Sequence, residues 1–376
     1  MVGIIYALFI LAPFGELLFI TWLGVRIRII DIVVAGAVVV LILKQRNKLP
    51  VTALSRSPLA SLTAALLASV LVNLFSFTLS SAWLYLGRTS IYFLFFALLL
   101  KSRISSSLTT RKRILLTGLG LLIASCLIQY FLYPSLRNLL YAGYDPHMGR
   151  MVGPFLDPNL LGLALVWYLI VLLPWSLLYI TPLLLFTYSR ISMLTGIISV
   201  GYWYTASTKR WMVTLLAGVL MIGAATLLPR SEGIGTDIWR VNSLLSKPEA
   251  FRETIAVAKR NPLFGIGFNT LPQQQGSSLP YPDNSRFGID NTLFTLLATT
   301  GMVGILGYIG TFILLWKTYA TIQARALTVA FFVHSLSVNS FFTPTLFLLY
   351  TLLIFYIQSS LPVSSRSRQR RSPQPI

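Results

Sequence analysis

Basic side chains recur at helical spacing in one polar stretch of an otherwise apolar chain. The stretch SKPEAFRETIAVAKR covers residues 246–260 and contains Lys247, Arg252 and Lys259. Ammonium and guanidinium groups held in one place bind phosphate oxygens through charge-assisted hydrogen bonds. The pattern therefore indicates either a site for an anionic substrate or an amphipathic surface helix whose cations reach lipid headgroups.

Three further charged side chains stand at the ends of apolar runs. Arg190 lies between two such runs, and Arg88 lies near the end of another. A cation at such a position either anchors a span at the interface or marks a functional site. Asp290 directly precedes a long apolar run, where it would cap a helix or accept a proton from a substrate hydroxyl.

The segment RMVGPFLDPNLLG, residues 150–162, is the fourth stretch that could contribute to a site. It begins with Arg150 and reaches an apolar run through a turn at Pro158. Either Asp157 or Asn159 can cap the helix that this run predicts. A capping residue has a structural role, so the functional interpretation of this segment stays open.

The remaining polar residues have structural interpretations. His147 is expected to be an exposed loop histidine, and His334 is expected to pack as a polar pair with Asn339. Cys126 stands alone inside an apolar run, so no intramolecular disulfide can form. No cluster of Cys or His has metal-ligand spacing, and the chain has neither a Walker loop nor a nucleophile elbow. We therefore predict no metal and no cofactor.

Acidic residues near the ends of the first two apolar runs predict buried ion pairs. Glu16 and Asp31 fall at these ends, close in sequence to Arg26 and Arg28. A buried charge needs a partner of opposite sign. Either arginine could supply it, and the sequence does not distinguish the two.

The composition is that of a membrane protein. The 376 residues are 55% hydrophobic and 11% charged, with a mean hydropathy of +0.75, whereas soluble domains carry about 25% charged residues. We predict an all-α polytopic fold with about twelve transmembrane helices. The predicted spans are 3–23, 29–43, 58–77, 83–100, 114–133, 159–173, 175–188, 191–206, 211–228, 291–316, 326–341 and 344–361. The pair between 159 and 188 is joined by a turn without charge.

The domain organisation predicted from these spans is simple. Residues 1–361 form one helical membrane domain, whose large loop 229–290 contains the amphipathic helix. Residues 362–376 form a basic tail that we expect to be disordered. The other long loop on the same side as 229–290 is 134–158, so chemistry on a large or charged substrate belongs between these two loops.

The distribution of charge predicts the orientation in the membrane. With both termini on one side, segments 44–56, 101–113, 209–210, 317–325 and 362–376 share that side and carry Lys and Arg without Asp or Glu. Cytoplasmic loops are enriched in Lys and Arg. Both termini are therefore predicted to be cytoplasmic, in the cytoplasmic (inner) membrane. The net charge of +20 is explained in this way and does not predict nucleic-acid binding.

Taken together, the four stretches resemble the O-antigen ligase and polymerase family of membrane glycosyltransferases. The matching elements are TYSR at 187–190, FLDPN at 155–159, Lys247 with Phe251 and NPLFGIG, and DNTLF with TGMVG between 290 and 304. Two positions depart from the family pattern. Lys247 stands where Arg is common, and Asp290 stands where His is common. Lys keeps the charge but loses the bidentate fork of Arg.

The resemblance implies a substrate and a set of site residues. The implied donor is a glycan on a polyprenyl diphosphate, such as undecaprenyl diphosphate, and the acceptor is a glycan or glycolipid hydroxyl at the outer face, with membrane lipids as the surroundings. The implied catalytic residues are Asp290 and Arg190. The implied diphosphate ligands are Arg190, Lys247, Arg252, Lys259 and Arg88, and further substrate contacts are assigned to Asn159, Asn291 and Arg150.

Two alternative functions stay open. A repeat-unit polymerase of the same family would use the same residues. A lipid-linked glycan transporter, or flippase, would need basic residues along a path through the bilayer, and the sequence has no paired broken spans in symmetric positions.

Overall fold

The computed structural model describes most of the apolar part of the chain. The described residues are 2–22, 25–44, 57–74, 80–102, 107–142, 144–208, 252, 254–270 and 291–360, with isolated positions between 218 and 236. Lys247, Asp290 and most of the predicted span 211–228 lie outside these residues.

The described part of the chain is mostly helical, which agrees with the predicted all-α class. Its α-helices are α1 (Val2–Leu11), α2 (Ile29–Lys44), α3 (Ala60–Val72), α4 (Ser80–Lys101), α5 (Leu108–Leu132), α6 (Pro158–Leu172), α7 (Ser176–Phe186), α8 (Arg190–Thr208), α9 (Thr292–Thr318), α10 (Ile322–Ser335) and α11 (Pro344–Ser359). Short 3₁₀ helices cover Ala12–Phe14, Arg137–Ala142 and Gly153–Phe155. Most predicted spans therefore coincide with a helix to within a few residues.

Three of the described helices are long and apolar enough to cross a membrane. They are Ala82–Lys101, Thr109–Leu132 and Thr292–Thr318. The other apolar helices are shorter, at 10–17 residues. The number of twelve spans therefore stays a prediction.

The first predicted span, 3–23, is wrong in its second half. Helix α1 ends at Leu11, and the chain then forms an antiparallel hairpin of β1 (Phe19–Trp22) and β2 (Val25–Arg28). The two strand sequences, FITW and VRIR, are rich in the aromatic and β-branched residues that favour strands. An apolar run of this composition is ambiguous between helix and strand when periodicity alone is considered.

Helices α6 and α7 form a hairpin that coincides with the predicted spans 159–173 and 175–188 to within a few residues. At 1.5 Å per residue their 15 and 11 residues extend about 22 and 16 Å, less than the roughly 30 Å of the hydrocarbon core, so their crossing of the membrane stays a prediction. Trp175 in the turn between them and Leu178 in the first turn of α7 expose their apolar side chains. The hairpin returns to the level at which it began, because Ser189 after α7 donates a hydrogen bond to Asn159 near the start of α6, 2.7 Å away.

Helix α6 is the centre of the bundle. Its residues 161–170 are all buried, and α7, α8, α10 and α11 pack around it. The Trp167 ring meets the rings of Phe331 at 5.1 Å and Tyr350 at 5.7 Å. Gly162 lets α8 come close, since a Cβ atom at this position would lie 2.3 Å from Ser192 Oγ. This close contact brings the polar start of α8 against the start of α6.

Candidate functional site

Arg150 fixes the loop before α6 to the turn before α8. Its buried guanidinium donates from Nε to the Thr187 carbonyl at 2.9 Å and from Nη2 to the Tyr188 carbonyl at 3.3 Å. The next residue, Met151, donates its N–H to the Phe186 carbonyl at 2.9 Å. Tyr188 itself has a left-handed φ of 51°, which is uncommon for a bulky residue. The TYSR turn is therefore held in one conformation by the loop that precedes α6.

Asp157 caps α6, so the Asn159 side chain is not needed as the cap and can make other contacts. The Asp157 Oδ1 atom accepts from the N–H groups of Asn159 at 2.6 Å and Leu160 at 2.9 Å. Burial raises the pKa of the Asp157 carboxyl, and these main-chain donors and the charge of Arg150 oppose the rise. Of the two capping candidates in the sequence, Asp157 is the cap.

Four side chains then form what we call the polar cluster: Asn159, Ser189, Ser192 and His334. Ser189 Oγ donates to Asn159 Oδ1 at 2.7 Å and lies 2.7 Å from Ser192 Oγ. Ser192 Oγ is 3.1 Å from the Asn159 carbonyl and 3.4 Å from His334 Nε2. The sequence did not reveal this cluster, and the predicted partner of His334 was wrong. His334 meets Ser192, whereas the Asn339 Oδ1 atom accepts from Thr292 at 3.2 Å.

Arg190 is placed beside the polar cluster by the chain itself. It is the first residue of α8 and directly follows Ser189. Its side chain is half-buried. The cation therefore lies at the end of the bundle where α6 and α8 begin, which we call the site end.

The motif NPLFGIG docks onto a break in α9. Gly301, inside α9, has φ 63° and ψ −159°, which interrupts the helix. The Met302 N–H donates to the Pro262 carbonyl at 2.9 Å and the Val303 N–H to the Leu263 carbonyl at 3.2 Å. In the opposite direction, the N–H groups of residues 266 and 267 donate to the carbonyls of residues 298 and 299, both at 3.0 Å. The loop thus binds main-chain groups that the break leaves without helical partners.

This loop–helix contact, between residues 262–267 and 298–303, requires glycine on both sides. A Cβ atom at Gly265 would lie 2.3 Å from the Thr299 carbonyl carbon, and one at Gly301 would lie 2.4 Å from the Leu263 carbonyl. Asn73 on the other side donates to the Gly265 carbonyl at 3.1 Å. Gly265 and Gly301 therefore serve a backbone-to-backbone contact.

The basic helix leads directly into this contact. Residues 254–258 are helical, Thr254 and Ala258 are buried, and Arg252 and Lys259 are exposed. The described part of the stretch thus agrees with the predicted amphipathic helix. After the contact, the Phe268 ring meets the Phe342 ring at 5.3 Å. Since Phe342 follows α10, whose last turn carries His334, the segment is anchored near the site end.

Asn291 is the cap of α9, and Asp290, which was a capping candidate in the sequence, lies outside the described residues. The Asn291 Oδ1 atom accepts from the N–H groups of Leu293 at 2.7 Å and Phe294 at 3.2 Å. Its Nδ2 atom donates to the Leu336 carbonyl, just beyond α10. Asn291 therefore links the start of α9 to the end of α10 at the site end, and its predicted role as a substrate contact stays a prediction.

Arg88 belongs to a separate ion-pair network between α2, α4 and the β hairpin. Its Nη2 atom lies 3.1 Å from Asp31 Oδ2, and it also donates to the Arg26 carbonyl. In the same network Arg28 donates to Glu16 at 2.8 and 3.0 Å. Burial lowers the pKa of the Arg28 guanidinium, but the attraction of Glu16, the hydrogen bond to it and the charge of Asp31 together outweigh burial, so the pKa is raised. The predicted pairing of Glu16 with one of the two nearby arginines is confirmed for Arg28.

The fold also assembles a group of side chains that the sequence spacing did not reveal. Ligand atoms of Asp145, His147 and Asp157 all lie within 4.8 Å of one another, close enough to hold a metal ion. The Nδ1 atom of His147 lies 3.5 Å from Arg150 Nη1, so a cation already borders the group. The predicted independence of a metal therefore stays a prediction that experiment can check.

Fold and site together define a helical integral membrane protein with cations and a neutral polar cluster at one end. Residues 175–309, about a third of the chain, match the family described as O-antigen ligase. This match confirms the resemblance to the O-antigen ligase and polymerase family, and it supports an enzyme of polysaccharide biosynthesis that acts on lipid-linked glycans. No curated protein matches the chain.

Proposed function

We propose that the protein is an O-antigen ligase-like membrane glycosyltransferase. It moves a glycan from a polyprenyl-diphosphate carrier to an acceptor hydroxyl at the outer face of the cytoplasmic membrane. The observation that carries the proposal is the family match over 175–309, which includes Arg190, the basic helix and the loop–helix contact. Arg190 begins α8 at the site end, and the segment that follows the basic helix is anchored near the same end.

The proposed chemistry is an in-line displacement at the anomeric carbon. The acceptor oxygen forms the new bond to this carbon as its bond to the phosphate oxygen breaks, and the electron pair of the broken bond stays on the diphosphate. The acceptor proton passes to Asp290, and the anomeric centre is inverted. Negative charge grows on the leaving diphosphate, so fixed cations stabilise the transition state more than the ground state.

We assign the diphosphate to Arg190 together with the cations of the basic helix. The exposed side chains of Arg252 and Lys259 are available to a headgroup, and Lys247 extends the same polar stretch. Arg88 and Arg150 are weaker candidates for binding the diphosphate. Arg88 is already balanced by Asp31 at 3.1 Å, and Arg150 donates to two main-chain carbonyls.

The decisive experiment replaces Arg190. We expect Arg190→Ala to reduce transfer of a labelled glycan in membrane vesicles by about 100-fold or more, the usual effect of removing one preorganised donor. Arg190→Lys should retain part of the activity, because it keeps the charge but loses the fork. Arg113→Ala, at an exposed arginine of α5, is the matched control and should be fully active. Normal transfer by a well-expressed Arg190→Ala variant would remove Arg190 from the site.

A deletion strain separates the ligase from the two alternatives. Loss of a ligase leaves long glycans attached to the lipid carrier. Loss of a polymerase leaves single repeat units. Loss of a flippase leaves the donor in the cytoplasmic leaflet. Analysis of lipid-linked sugars by mass spectrometry, combined with their accessibility to an external probe, distinguishes the three outcomes.

A further inference from the structure

We infer that His334, acting through Ser192 and Ser189, orients the Asn159 amide so that its N–H groups donate to the diphosphate of the donor. His334 is then a positioning residue and Asn159 a neutral ligand beside Arg190. The inference rests on the proposed function for the identity of the substrate. The orientation itself follows from the hydrogen bonds of the polar cluster.

The first step concerns the two nitrogens of His334. The imidazole is fully buried, and its Nδ1 atom has no hydrogen-bond partner among the described residues, whereas Nε2 lies 3.4 Å from Ser192 Oγ. A neutral imidazole carries its hydrogen on one nitrogen only. A buried donor without an acceptor is rarer in proteins than an acceptor without a donor. The hydrogen therefore belongs on Nε2, which donates to Ser192 and also meets the main-chain carbonyl of Asn159.

The second step follows the hydroxyl groups outward. Each serine has one hydrogen to donate. Ser192 accepts from His334, so it donates to Ser189 Oγ at 2.7 Å or to the Asn159 carbonyl at 3.1 Å. The Ser189 hydrogen is directed at Asn159 Oδ1 at 2.7 Å, because an amide oxygen can only accept. The chain of donors thus runs from His334 through the serines to the amide oxygen of Asn159.

The third step gives the direction of the amide nitrogen. Because Oδ1 faces Ser189, Nδ2 faces the other way. Asn159 is half-buried, and no described residue accepts a hydrogen bond from its Nδ2 atom. Asp157 caps the helix, so Asn159 is not needed there. Two N–H groups are therefore presented at the site end, next to the first residue of α8. With the opposite imidazole tautomer Ser192 would donate to His334, and His334 would no longer be the donor at the start of this chain.

The tautomer can be measured directly. The chain contains two histidines, so protein labelled with ¹⁵N-histidine in detergent gives two imidazoles, and a His147→Gln variant assigns them. We expect His334 to be neutral with the hydrogen on Nε2. A hydrogen on Nδ1 would overturn the inference, whatever the activity of the enzyme.

The role in transfer is tested with a donor on polyprenyl diphosphate. Asn159→Ala should lower kcat/KM for the donor about 10- to 100-fold, the effect of losing hydrogen bonds to a charged group. Asn159→Asp should be worse, although it keeps an acceptor for Ser189, because it places a carboxylate against the diphosphate. Full activity of Asn159→Asp, or an effect confined to the KM of the acceptor, would contradict the assignment.

A double-mutant cycle shows whether the relay acts through Asn159. Ser189→Ala and His334→Leu should each lower donor kcat/KM about 10-fold in the wild-type background and have no further effect in Asn159→Ala. His334→Gln, which retains an N–H donor, should restore much of the rate. If His334→Leu fails to fold, the cycle with Ser189→Ala alone tests whether the relay acts through Asn159. If Ser189→Ala or His334→Leu lowers donor kcat/KM by the same factor in the Asn159→Ala background as in the wild type, the relay is refuted. Absence of glycan transfer by the wild-type protein would refute the proposed function, whereas transfer by the wild type together with a fully active Asn159→Ala would refute the relay alone.

Discussion

Replacement of either glycine in the loop–helix contact is expected to destabilise the protein strongly. The perturbations are Gly265→Ala and Gly301→Ala. Both residues have a φ of 63°, in the left-handed region that residues other than glycine rarely adopt. Each added Cβ atom would meet main chain rather than the mobile end of a side chain. Neither contact can be relieved by a change of rotamer.

The expected magnitude follows from two contributions. A left-handed conformation costs a residue with a Cβ atom about 1–2 kcal/mol. Overpacking in a well-packed interior costs about 1–3 kcal/mol more. The free energy of unfolding should therefore fall by about 2–5 kcal/mol for each variant. The loop could also move away to avoid the overlap with the added Cβ atom. In that case the four hydrogen bonds between the loop and the break, at 2.9–3.2 Å, are lost.

Denaturant unfolding of the purified protein in detergent measures the effect, with Gly120→Ala as the matched control. Gly120 lies in α5, and a Cβ atom there would meet no atom within 4 Å. That variant should be as stable as the wild type, or more stable by up to about 1 kcal/mol, because alanine favours helix. If Gly265→Ala and Gly301→Ala unfold at the same denaturant concentration as Gly120→Ala, the contact does not form as described.

Three other perturbations have defined outcomes. Asn291→Ala should lower the free energy of unfolding by about 1 kcal/mol or more, whereas Asn291→Asp should retain the cap; equal stability of the two variants would contradict the capping role. Asp290→Asn should abolish transfer without changing the denaturation midpoint, since Asn291 caps α9, and an unchanged rate would exclude Asp290 as the base. Transfer should be unaffected by EDTA, because Arg150 already provides positive charge 3.5 Å from His147; a loss of activity restored by Mn²⁺ would show that the Asp145 group binds a metal.

The helical part of the fold could be predicted because apolar runs determine it. The runs 344–361 and 291–316, for example, correspond to α11 and α9. The hairpin at 19–28 could not be predicted, because FITW and VRIR continue an apolar run and strand pairing is not visible in its composition. Whether α6 and α7 each cross the membrane stays a prediction. Hydropathy shows that a segment is apolar, but a short hairpin and two full spans differ in length by only a few residues.

The site could be predicted only where one residue type implies one role. Arg190 and the basic helix were recognisable as candidates because a cation in an apolar chain is unusual, and their role in the site stays a prediction. The polar cluster was not recognisable, since Ser192 and His334 are 142 positions apart and serine occurs throughout the chain. Asp145 and His147 likewise joined Asp157 only through folding. The spacing of Ser189 and Ser192, three residues apart beside Gly162, is the one signal that could have suggested a polar face at the start of α8.

The placement of charge argues for chemistry at one face rather than transport through the membrane. Among the described residues, Glu16 and Arg150 are buried and charged and lie in segments between helices. The largely buried Arg28, Asp31 and Arg88 belong to the ion-pair network beside α2 and α4. The centre of the bundle is the apolar stretch 161–170 of α6, surrounded by aromatic rings. A diphosphate crossing such a core would lose its hydration without gaining a counter-ion, at a cost of many kcal/mol. Under the proposed function it would instead meet Arg190 and the basic helix at the site end. The apolar surroundings of α6 therefore favour a transferase over a transporter, and the binding place of the headgroup stays a proposal.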